Sequence, residues 1–255
     1  MEDENGIGLP QPMVGRCRSR RDESGFATHC DQRSGEVRME TLDEILSARR
    51  YAYAAFQRLT GDKPSKELFG SLDLDVLRMA FEVAGVLPED GDLVDALVEQ
   101  LQAAAGDLDR IADDYARIFV GPAALPAPPW ESVYRDNKRL LMTATTLSVR
   151  EYYRAYGYEA KERLHVPDDH LAIELDFLAS LAQEALDACA AGSEEDARQL
   201  FEAGSTFAST HLSHWVGDFA ADLRDHDGSR FYCAIANALA AFVSADVKIG
   251  HIRGL

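Results

Sequence analysis

Four side chains in the second half of the chain belong to the types that bind transition metals. His170 and Glu174 are four residues apart, and His211 and His214 are three apart. Residues at these spacings lie on one face of a helix. Imidazole and carboxylate groups that project into a helical bundle are typical ligands of zinc and di-iron centres. One hypothesis is therefore a metal-dependent helical enzyme that uses these four residues.

The sequence lacks the other parts of such a centre. A di-iron bundle needs two Glu-x-x-His pairs on facing helices and two further glutamates. Only Glu162-x-x-His165 has that spacing, and Pro167 follows it so closely that we do not expect it in a helix. Phosphate-binding loops, dinucleotide-binding glycine motifs and nucleophile elbows do not occur in the sequence. We therefore predict no metal, no cofactor and no catalytic residue.

The stretch 115–135 combines helix-breaking residues with large apolar ones. Its prolines lack an amide donor and disfavour helical geometry in the residue before each of them; they are Pro122, Pro126, Pro128 and Pro129. The same stretch carries Ile118, Phe119, Val120, Leu125, Trp130, Val133 and Tyr134. A stiff apolar loop loses little entropy on ordering. It either closes one end of the core or forms one wall of a recognition groove.

Most of the remaining chain shows the apolar spacing of amphipathic helices, and no segment shows sustained strand alternation. Thr41-Leu-Asp-Glu44 is a capping box, which predicts the start of the first helix. The pattern predicts a single all-α domain, a bundle of about eight helices with a proline-rich apolar loop. The predicted helices cover about 41–61, 73–86, 92–104, 107–120, 132–156, 168–190, 193–224 and 229–247.

The composition excludes several classes of partner. The chain has 44 acidic and 26 basic residues, a formal net charge of −18, which argues against binding to nucleic acid. No apolar run approaches the roughly 20 residues needed to span a bilayer, and no secretory signal is recognisable. The four cysteines form no CxxC pair. We therefore expect a cytoplasmic protein with reduced thiols and no membrane insertion.

Residues 1–38 differ from the rest of the chain. They are rich in glycine, serine and charged residues and contain few large apolar side chains. Such a segment cannot bury enough surface to offset its ordering entropy. We predict that residues 1–38 are a disordered extension, or the product of a start codon upstream of Met39, and that residues 39–255 form the helical domain.

Three motifs follow one another in the second half of the chain. The first is Tyr115-x-x-Ile-Phe-x-Gly-Pro122, continued by Leu125-Pro-Ala-Pro-Pro-Trp-Glu-Ser-Val-Tyr134. The second is Pro167-Asp-Asp-His-Leu-Ala-Ile-Glu-Leu-Asp-Phe-Leu178, and the third is His211-Leu-x-x-Trp215. In their order and spacing they resemble the TorD/DmsD family of redox-enzyme maturation chaperones over about residues 40–250. The proline–tryptophan loop looks most similar to the DmsD branch, except that Glu131 stands where that branch usually has glycine.

The resemblance implies a non-enzymatic, all-helical chaperone. Proteins of this family bind the twin-arginine signal peptide of a molybdopterin oxidoreductase and delay export until the cofactor is inserted and the enzyme is folded. The implied partners are therefore that signal peptide and the apo-enzyme, with the Tat translocase as a further candidate. Carried over by position, the residues expected to contact the peptide are Tyr115, Ile118, Pro129, Trp130, Ser132, Tyr134, Asp169 and His170. Glu131 is added to this set for its charge.

Physical arguments assign roles within this set. A peptide with two arginines beside an apolar segment requires an apolar groove with acidic groups at one end. Trp130, Tyr134 and Ile118 are expected to supply the groove, and Asp169 and Glu131 the negative charge.

Three further residues, Glu174, His211 and Trp215, are expected to support the site from within the core. Besides the metal-dependent enzyme, the sequence leaves open an assembly chaperone of the related nitrate-reductase type, which acts on a subunit that is never exported.

Overall fold

The computed structural model describes residues 14–16, 41–86, 91–121, 124–136, 140–160, 166–226 and 228–253. Helices make up most of these ranges, which confirms the all-α prediction. The elements follow in the order β1 (Val14–Arg16), α1 (Leu42–Gly61), α2 (Lys66–Gly70), α3 (Leu74–Val83), α4 (Gly91–Ala103), α5 (Leu108–Tyr115), α6 (Glu131–Arg135), α7 (Ala144–Ala155), β2 (Tyr158–Ala160), α8 (Leu171–Ala190), α9 (Glu194–Thr210), α10 (Val216–His226) and α11 (Arg230–Arg253).

The two strands form a short antiparallel ribbon. Val14 pairs with Ala160, and Arg16 pairs with Tyr158. The strand β1 falls inside the segment 1–38 that we predicted to be a disordered extension. The rest of that segment, and Met39, lie outside the described residues, so the division between extension and domain stays a prediction.

Two helices form the centre of the domain. The helix α1 begins at the predicted capping box, in which the Glu44 carboxylate accepts the Thr41 N–H at 2.8 Å. It packs along α8, and α8 packs in turn against α9. Residues 171–179 of α8 are all buried. Because α8 begins immediately after His170, this burial holds the start of the helix, and the residues that precede it, in a fixed position.

The last helix, α11, is apolar and buried in the core. The span Arg230–Ile252 is long enough to cross a bilayer and has a mean hydropathy of 1.4, but 56% of its most apolar window is buried within the domain. Its Phe242 ring packs edge-on against Phe81 at 5.4 Å and against Tyr53 at 5.3 Å between ring centroids. These are the contacts of a core helix.

The predicted helix over 132–156 is interrupted. The chain forms α6 and α7 with a loop between them, in which Met142 has a φ of 58°. Thr143 starts α7 anew, since its hydroxyl accepts the Thr145 N–H at 3.2 Å. The apolar residues Leu140 and Leu141 sustain the helical spacing in the sequence, but they are exposed and belong to the loop rather than to the core.

The predicted helix over 193–224 also consists of two helices. The chain turns between α9 and α10 at residues 211–215. The break is held by tertiary contacts, because the Thr210 carbonyl at the end of α9 accepts a hydrogen bond from Arg135 Nη1 at 2.9 Å. His211 and Trp215 are buried beside this turn, whereas His214 is exposed.

A buried polar network connects α1, α9 and α11. Arg49 Nε donates to Asp246 Oδ1 at 2.5 Å, and Arg49 Nη2 donates to Ser205 Oγ at 2.9 Å. The Tyr53 hydroxyl donates to Asp246 Oδ2 at 2.6 Å. The guanidinium also lies over the Phe201 ring, 4.2 Å from its centroid. The arginine and the aspartate are therefore paired, hydrogen-bonded and almost fully removed from water.

The helices α9 and α11 approach each other closely beside this network, at Gly250. A Cβ at Gly250 would lie 2.8 Å from Ser205 Cβ and 2.9 Å from Ser205 Oγ. We expect Gly250→Ala to lower the free energy of unfolding by about 1–2 kcal/mol in urea denaturation, because the two helices must separate.

The matched control for Gly250→Ala is Gly217→Ala in α10, where a Cβ would meet no atom within 4 Å. This change should leave stability unchanged or raise it slightly, because alanine has the higher helix propensity. Equal stability of the two variants would contradict the close approach of α9 and α11.

Candidate functional site

The structure places Trp130 and His170 side by side, although they are 40 positions apart in the sequence. The two residues form an antiparallel bridge. It is held by Leu171 N–H donating to the Pro129 carbonyl at 2.9 Å and Glu131 N–H donating to the Asp169 carbonyl at 3.0 Å. The rings meet edge to face, with centroids 5.4 Å apart and planes at 80°. The proline-rich loop is thus fixed to the start of α8 through its backbone.

A groove opens beside His170. It has about 210 Å³ of free space, and its walls come from the C-terminal end of α1, the segment after α5, the approach to α8 and the first turn of α8. Its lining residues are Thr60, Gly61, Tyr115, Phe119, Val166, His170 and Ile173. Most of these side chains are apolar or aromatic. The groove therefore suits an apolar side chain with a few polar contacts around it.

A π-helical turn shapes one wall of the groove. Residues 116–120 continue α5 with a wider turn, closed by Gly121 N–H donating to the Ala116 carbonyl at 3.0 Å. Gly121 ends the turn with a φ of 91°, a conformation that favours glycine. The turn presents Tyr115 and Phe119 together, with ring centroids 5.3 Å apart. Such turns occur frequently at functional sites.

The two ring nitrogens of His170 have different roles. Its Nδ1 accepts the Ala172 N–H at 3.1 Å and so caps α8. Burial lowers the pKa of the imidazole to about 4, so the ring is neutral at physiological pH. A neutral ring that accepts at Nδ1 carries its proton on Nε2. His170 can therefore offer an N–H donor to a bound molecule without adding a charge.

Asp169 does not supply free negative charge to the groove. Its side chain is fully buried, and Oδ2 accepts the Ser132 N–H at 2.8 Å at the start of α6. The neighbouring Asp168 is also buried and accepts hydrogen bonds from Arg150 Nη2 at 2.6 Å and Nε at 2.9 Å. Both carboxylates hold the loop in place. The expectation that Asp169 meets a guest arginine at the surface is therefore wrong.

Glu131 also points inward, contrary to expectation. It is fully buried, its Oε2 lies 2.9 Å from His211 Nδ1, and its Oε1 accepts a hydrogen bond from Arg135 Nη1 at 3.2 Å. The side chain therefore does not narrow the groove or attract a basic guest. It joins α6 to the turn between α9 and α10.

Glu174 lies beneath the same loop. It is fully buried on α8, and Trp215 Nε1 donates to its Oε2 at 3.3 Å. Burial raises the pKa of this carboxyl well above its usual range, and the nearby charges of Glu131 and Asp169 raise it further. Trp215 in turn stacks on Tyr134, with centroids 5.5 Å apart. Glu174, His211 and Trp215 are thus buried beside the loop, and their supporting role stays a prediction.

The residues predicted to contact a peptide divide by exposure. Partly exposed side chains are those of Tyr115, Trp130, Tyr134 and His170. Buried ones are those of Ile118, Pro129, Glu131, Ser132 and Asp169. Trp130, Tyr134 and Ile118, which we expected to supply the groove, are not among its lining residues. Sequence reasoning did not assign Thr60, Gly61, Val166 and Ile173 to the groove. The only signal for them was indirect, namely the end of a predicted helix at Gly61 and the start of another after Pro167.

The alternative metal centre finds no geometric support among the described residues, where no group of three or more histidine, cysteine or acidic side chains is arranged to hold a metal ion. His211 contacts Glu131, and His214 faces solvent. The Glu162–His165 pair lies outside the described residues.

Comparison with known proteins places the chain in a family. A family model described as nitrate reductase delta subunit matches residues 86–221, which is just over half of the chain and includes Trp130 and His170. The chain is 32% identical over 164 residues to the chaperone protein TorD of Aliivibrio fischeri, covering 63% of this chain and 75% of that protein. It is 29% identical to TorD of Aliivibrio salmonicida, covering 82% of this chain and 98% of that protein.

The DmsD branch matches over a shorter region. The Tat proofreading chaperone DmsD of Salmonella paratyphi A is 32% identical over 121 residues, covering 48% of this chain and 52% of that protein. Because the TorD alignments extend over more of both chains, the expectation of a DmsD-like branch is corrected in favour of TorD. Both kinds of relative are named chaperones. The chain therefore belongs to the nitrate reductase delta subunit family, together with the TorD and DmsD redox-enzyme maturation chaperones.

Proposed function

We propose that this chain is a cytoplasmic, non-enzymatic chaperone that binds the twin-arginine signal peptide of a molybdopterin oxidoreductase precursor. It retains the precursor until the cofactor is inserted and the enzyme is folded, and then releases it for export. The observation that supports the proposal best is the Trp130–His170 pair, fixed by backbone hydrogen bonds at the edge of an apolar groove.

The chemistry of the groove suits an extended apolar peptide. Tyr115 and Phe119 supply aromatic surface, and aromatic side chains bury much area with few rotatable bonds. His170 offers a neutral N–H donor that can meet a backbone carbonyl of the peptide. Hand-off to the export machinery requires reversible binding. We therefore expect a dissociation constant on the order of 0.1–10 μM.

A second candidate function has the same binding mode but a different client. The family model is described by a nitrate reductase subunit, which favours an assembly chaperone for a molybdoenzyme subunit that is never exported. Purification of this chain with its native partners, read by mass spectrometry, discriminates between the two. A molybdoenzyme precursor with a twin-arginine leader supports the first function, and one without a leader supports the second.

Binding of a leader peptide should depend on the Trp130–His170 pair. We expect Trp130→Ala and His170→Ala each to weaken binding at least roughly tenfold, because His170 lines the groove and the Trp130 ring packs against it. Calorimetric titration with a synthetic twin-arginine leader peptide of a molybdoenzyme measures the change.

Three controls complete this experiment. Met79→Ala removes an exposed apolar side chain from α3 and should bind like the wild type. His170→Asn keeps a residue that caps helices well, so it separates loss of the cap from loss of the imidazole. Unchanged affinity in folded Trp130→Ala and His170→Ala variants would reject the site.

A further inference from the structure

A carboxylate that is not committed to the interior directly follows a residue that lines the groove. Asp62 follows the last residue of α1, adjacent to Gly61, which lines the groove. Its side chain is 25% exposed, in contrast to the fully buried Asp169 and Glu131. The Tyr115 hydroxyl donates to the Gly61 carbonyl at 2.9 Å. Burial raises the pKa of Tyr115, and the charge of Asp62 raises it further, so Asp62 acts electrostatically on the same wall of the groove.

The ion pair that Asp62 makes is loose. Arg58 Nε lies 3.6 Å from Asp62 Oδ2, which is longer than a hydrogen bond. That buried Nε has no hydrogen-bond acceptor among the described residues, while Arg58 Nη1 is directed to Ser71 Oγ at 2.5 Å. Burial raises the pKa of Asp62 even with Arg58 nearby, which indicates that the carboxylate is incompletely compensated. A second cation can therefore gain energy at Asp62.

The end of α1 adds to this electronegative character. The groove is lined by Thr60 and Gly61, the last two residues of a 20-residue helix. The carbonyl end of a helix carries a partial negative charge that favours cations within the last turn. Backbone carbonyls near Asp62 are also acceptors for the several N–H groups of a guanidinium.

We propose that Asp62, together with the C-terminal end of α1, binds one guanidinium group of the guest peptide while an adjacent apolar side chain enters the groove. This inference rests on the proposed function, since it names the residue that recognises the arginine in that ligand. Asp62 thereby takes the role that we expected for Asp169 and Glu131, whose carboxylates are buried within the domain. Asp62 lies outside the segment matched by the family model.

A double-mutant cycle between protein and peptide tests the assignment. Wild type and Asp62→Asn are titrated with a leader peptide carrying both arginines and with peptides in which each arginine in turn is replaced by glutamine. We expect Asp62→Asn to weaken binding of the two-arginine peptide about fivefold, the size typical of a partly exposed ion pair. One of the two glutamine peptides lacks the arginine that Asp62 binds, and Asp62→Asn should leave the affinity for that peptide unchanged. Raising the salt concentration should weaken wild-type binding more than Asp62→Asn binding.

Two further variants separate specific recognition from net charge and from folding. Asp62→Glu keeps the charge and should bind within about threefold of the wild type. Glu82→Gln makes the same change in net charge on α3 and should bind like the wild type. It lies next to Val83, which packs against a cluster that contains Ile45 and Leu46, near the opposite end of α1.

The outcomes distinguish this inference from the proposed function. If Asp62→Asn weakens all three peptides equally, or none of them, Asp62 does not recognise an arginine, although loss of binding in Trp130→Ala would still support the groove. If the wild type binds none of the peptides, the proposed function fails and this inference fails with it.

Discussion

Replacing Arg49 with leucine is expected to lower the free energy of unfolding by roughly 3–5 kcal/mol, the cost typical of leaving a buried charge without its partner. The change leaves Asp246 nearly inaccessible to solvent, with Tyr53 as its remaining hydrogen-bond donor. It also removes the hydrogen bonds to Ser205 and Phe201 that tie α1 to α9. Urea denaturation followed by circular dichroism measures the loss.

The reciprocal variant and an exposed pair act as controls for this prediction. Asp246→Leu should cost a similar amount, but the double variant Arg49→Leu/Asp246→Leu should lose less than the sum of the two, because no charge remains buried. The exposed pair Arg78–Asp95 also has an N–O distance of 2.5 Å, but its side chains are 40% and 67% exposed. Its disruption should cost less than about 1 kcal/mol. Similar losses at both pairs would contradict the role of burial.

The sequence predicted those helices whose ends are determined by residues close by in the chain. The capping box at Thr41 and the stop at Gly61 define α1, and both are encoded within a few residues. The same holds for α8, which begins immediately after His170 and is apolar over most of its length. The separation of α6 from α7 was missed because the exposed Leu140 and Leu141 continue the helical spacing in the sequence. The break at 211–215 was missed because its cause is distant. Arg135 binds the carbonyl at the end of α9, 75 positions away.

The site was predicted in part, and the difference has a physical reason. Residue types indicated aromatic walls and acidic groups, and the family resemblance joined Trp130 to His170. A sequence does not give the direction of a side chain. Glu131 therefore seemed available to a guest, whereas it contacts His211, 80 positions away. The residues of the groove that come from α1, Thr60 and Gly61, carry no distinctive chemistry and become visible only when α1 packs beside α8.

Replacing Glu174 with glutamine is expected to make the protein more stable at neutral and alkaline pH. Burial raises the folded-state pKa of Glu174 well above its unfolded value of 4.5, and the charges of Glu131 and Asp169 raise it further. A carboxyl whose pKa is raised on folding contributes stability that is fully present below pH 4.5. That contribution is lost as the pH rises towards the folded-state pKa. Glutamine is neutral at every pH and does not have this dependence.

The glutamine variant can keep the hydrogen bonding at position 174. Its carbonyl can accept the Trp215 N–H, which donates to Glu174 Oε2 at 3.3 Å. Its amide replaces Glu174 Oε1, a buried atom that has no hydrogen-bond partner among the described residues and lies near the charge of Glu131. We therefore expect the free energy of unfolding of Glu174→Gln, relative to the wild type, to rise from about zero at pH 4 to roughly 1–3 kcal/mol at pH 8, the cost typical of burying a poorly compensated polar or charged group.

Urea denaturation of both proteins between pH 4 and pH 8 tests this expectation. Glu174→Ala should be less stable than Glu174→Gln at every pH, because it leaves the buried Trp215 N–H without an acceptor. Glu99→Gln makes the same change in net charge at an exposed position of α4 and should shift stability by less than about 0.5 kcal/mol. A stability difference between Glu174→Gln and the wild type that stays constant with pH would show that Glu174 ionises equally easily in the folded and unfolded chains.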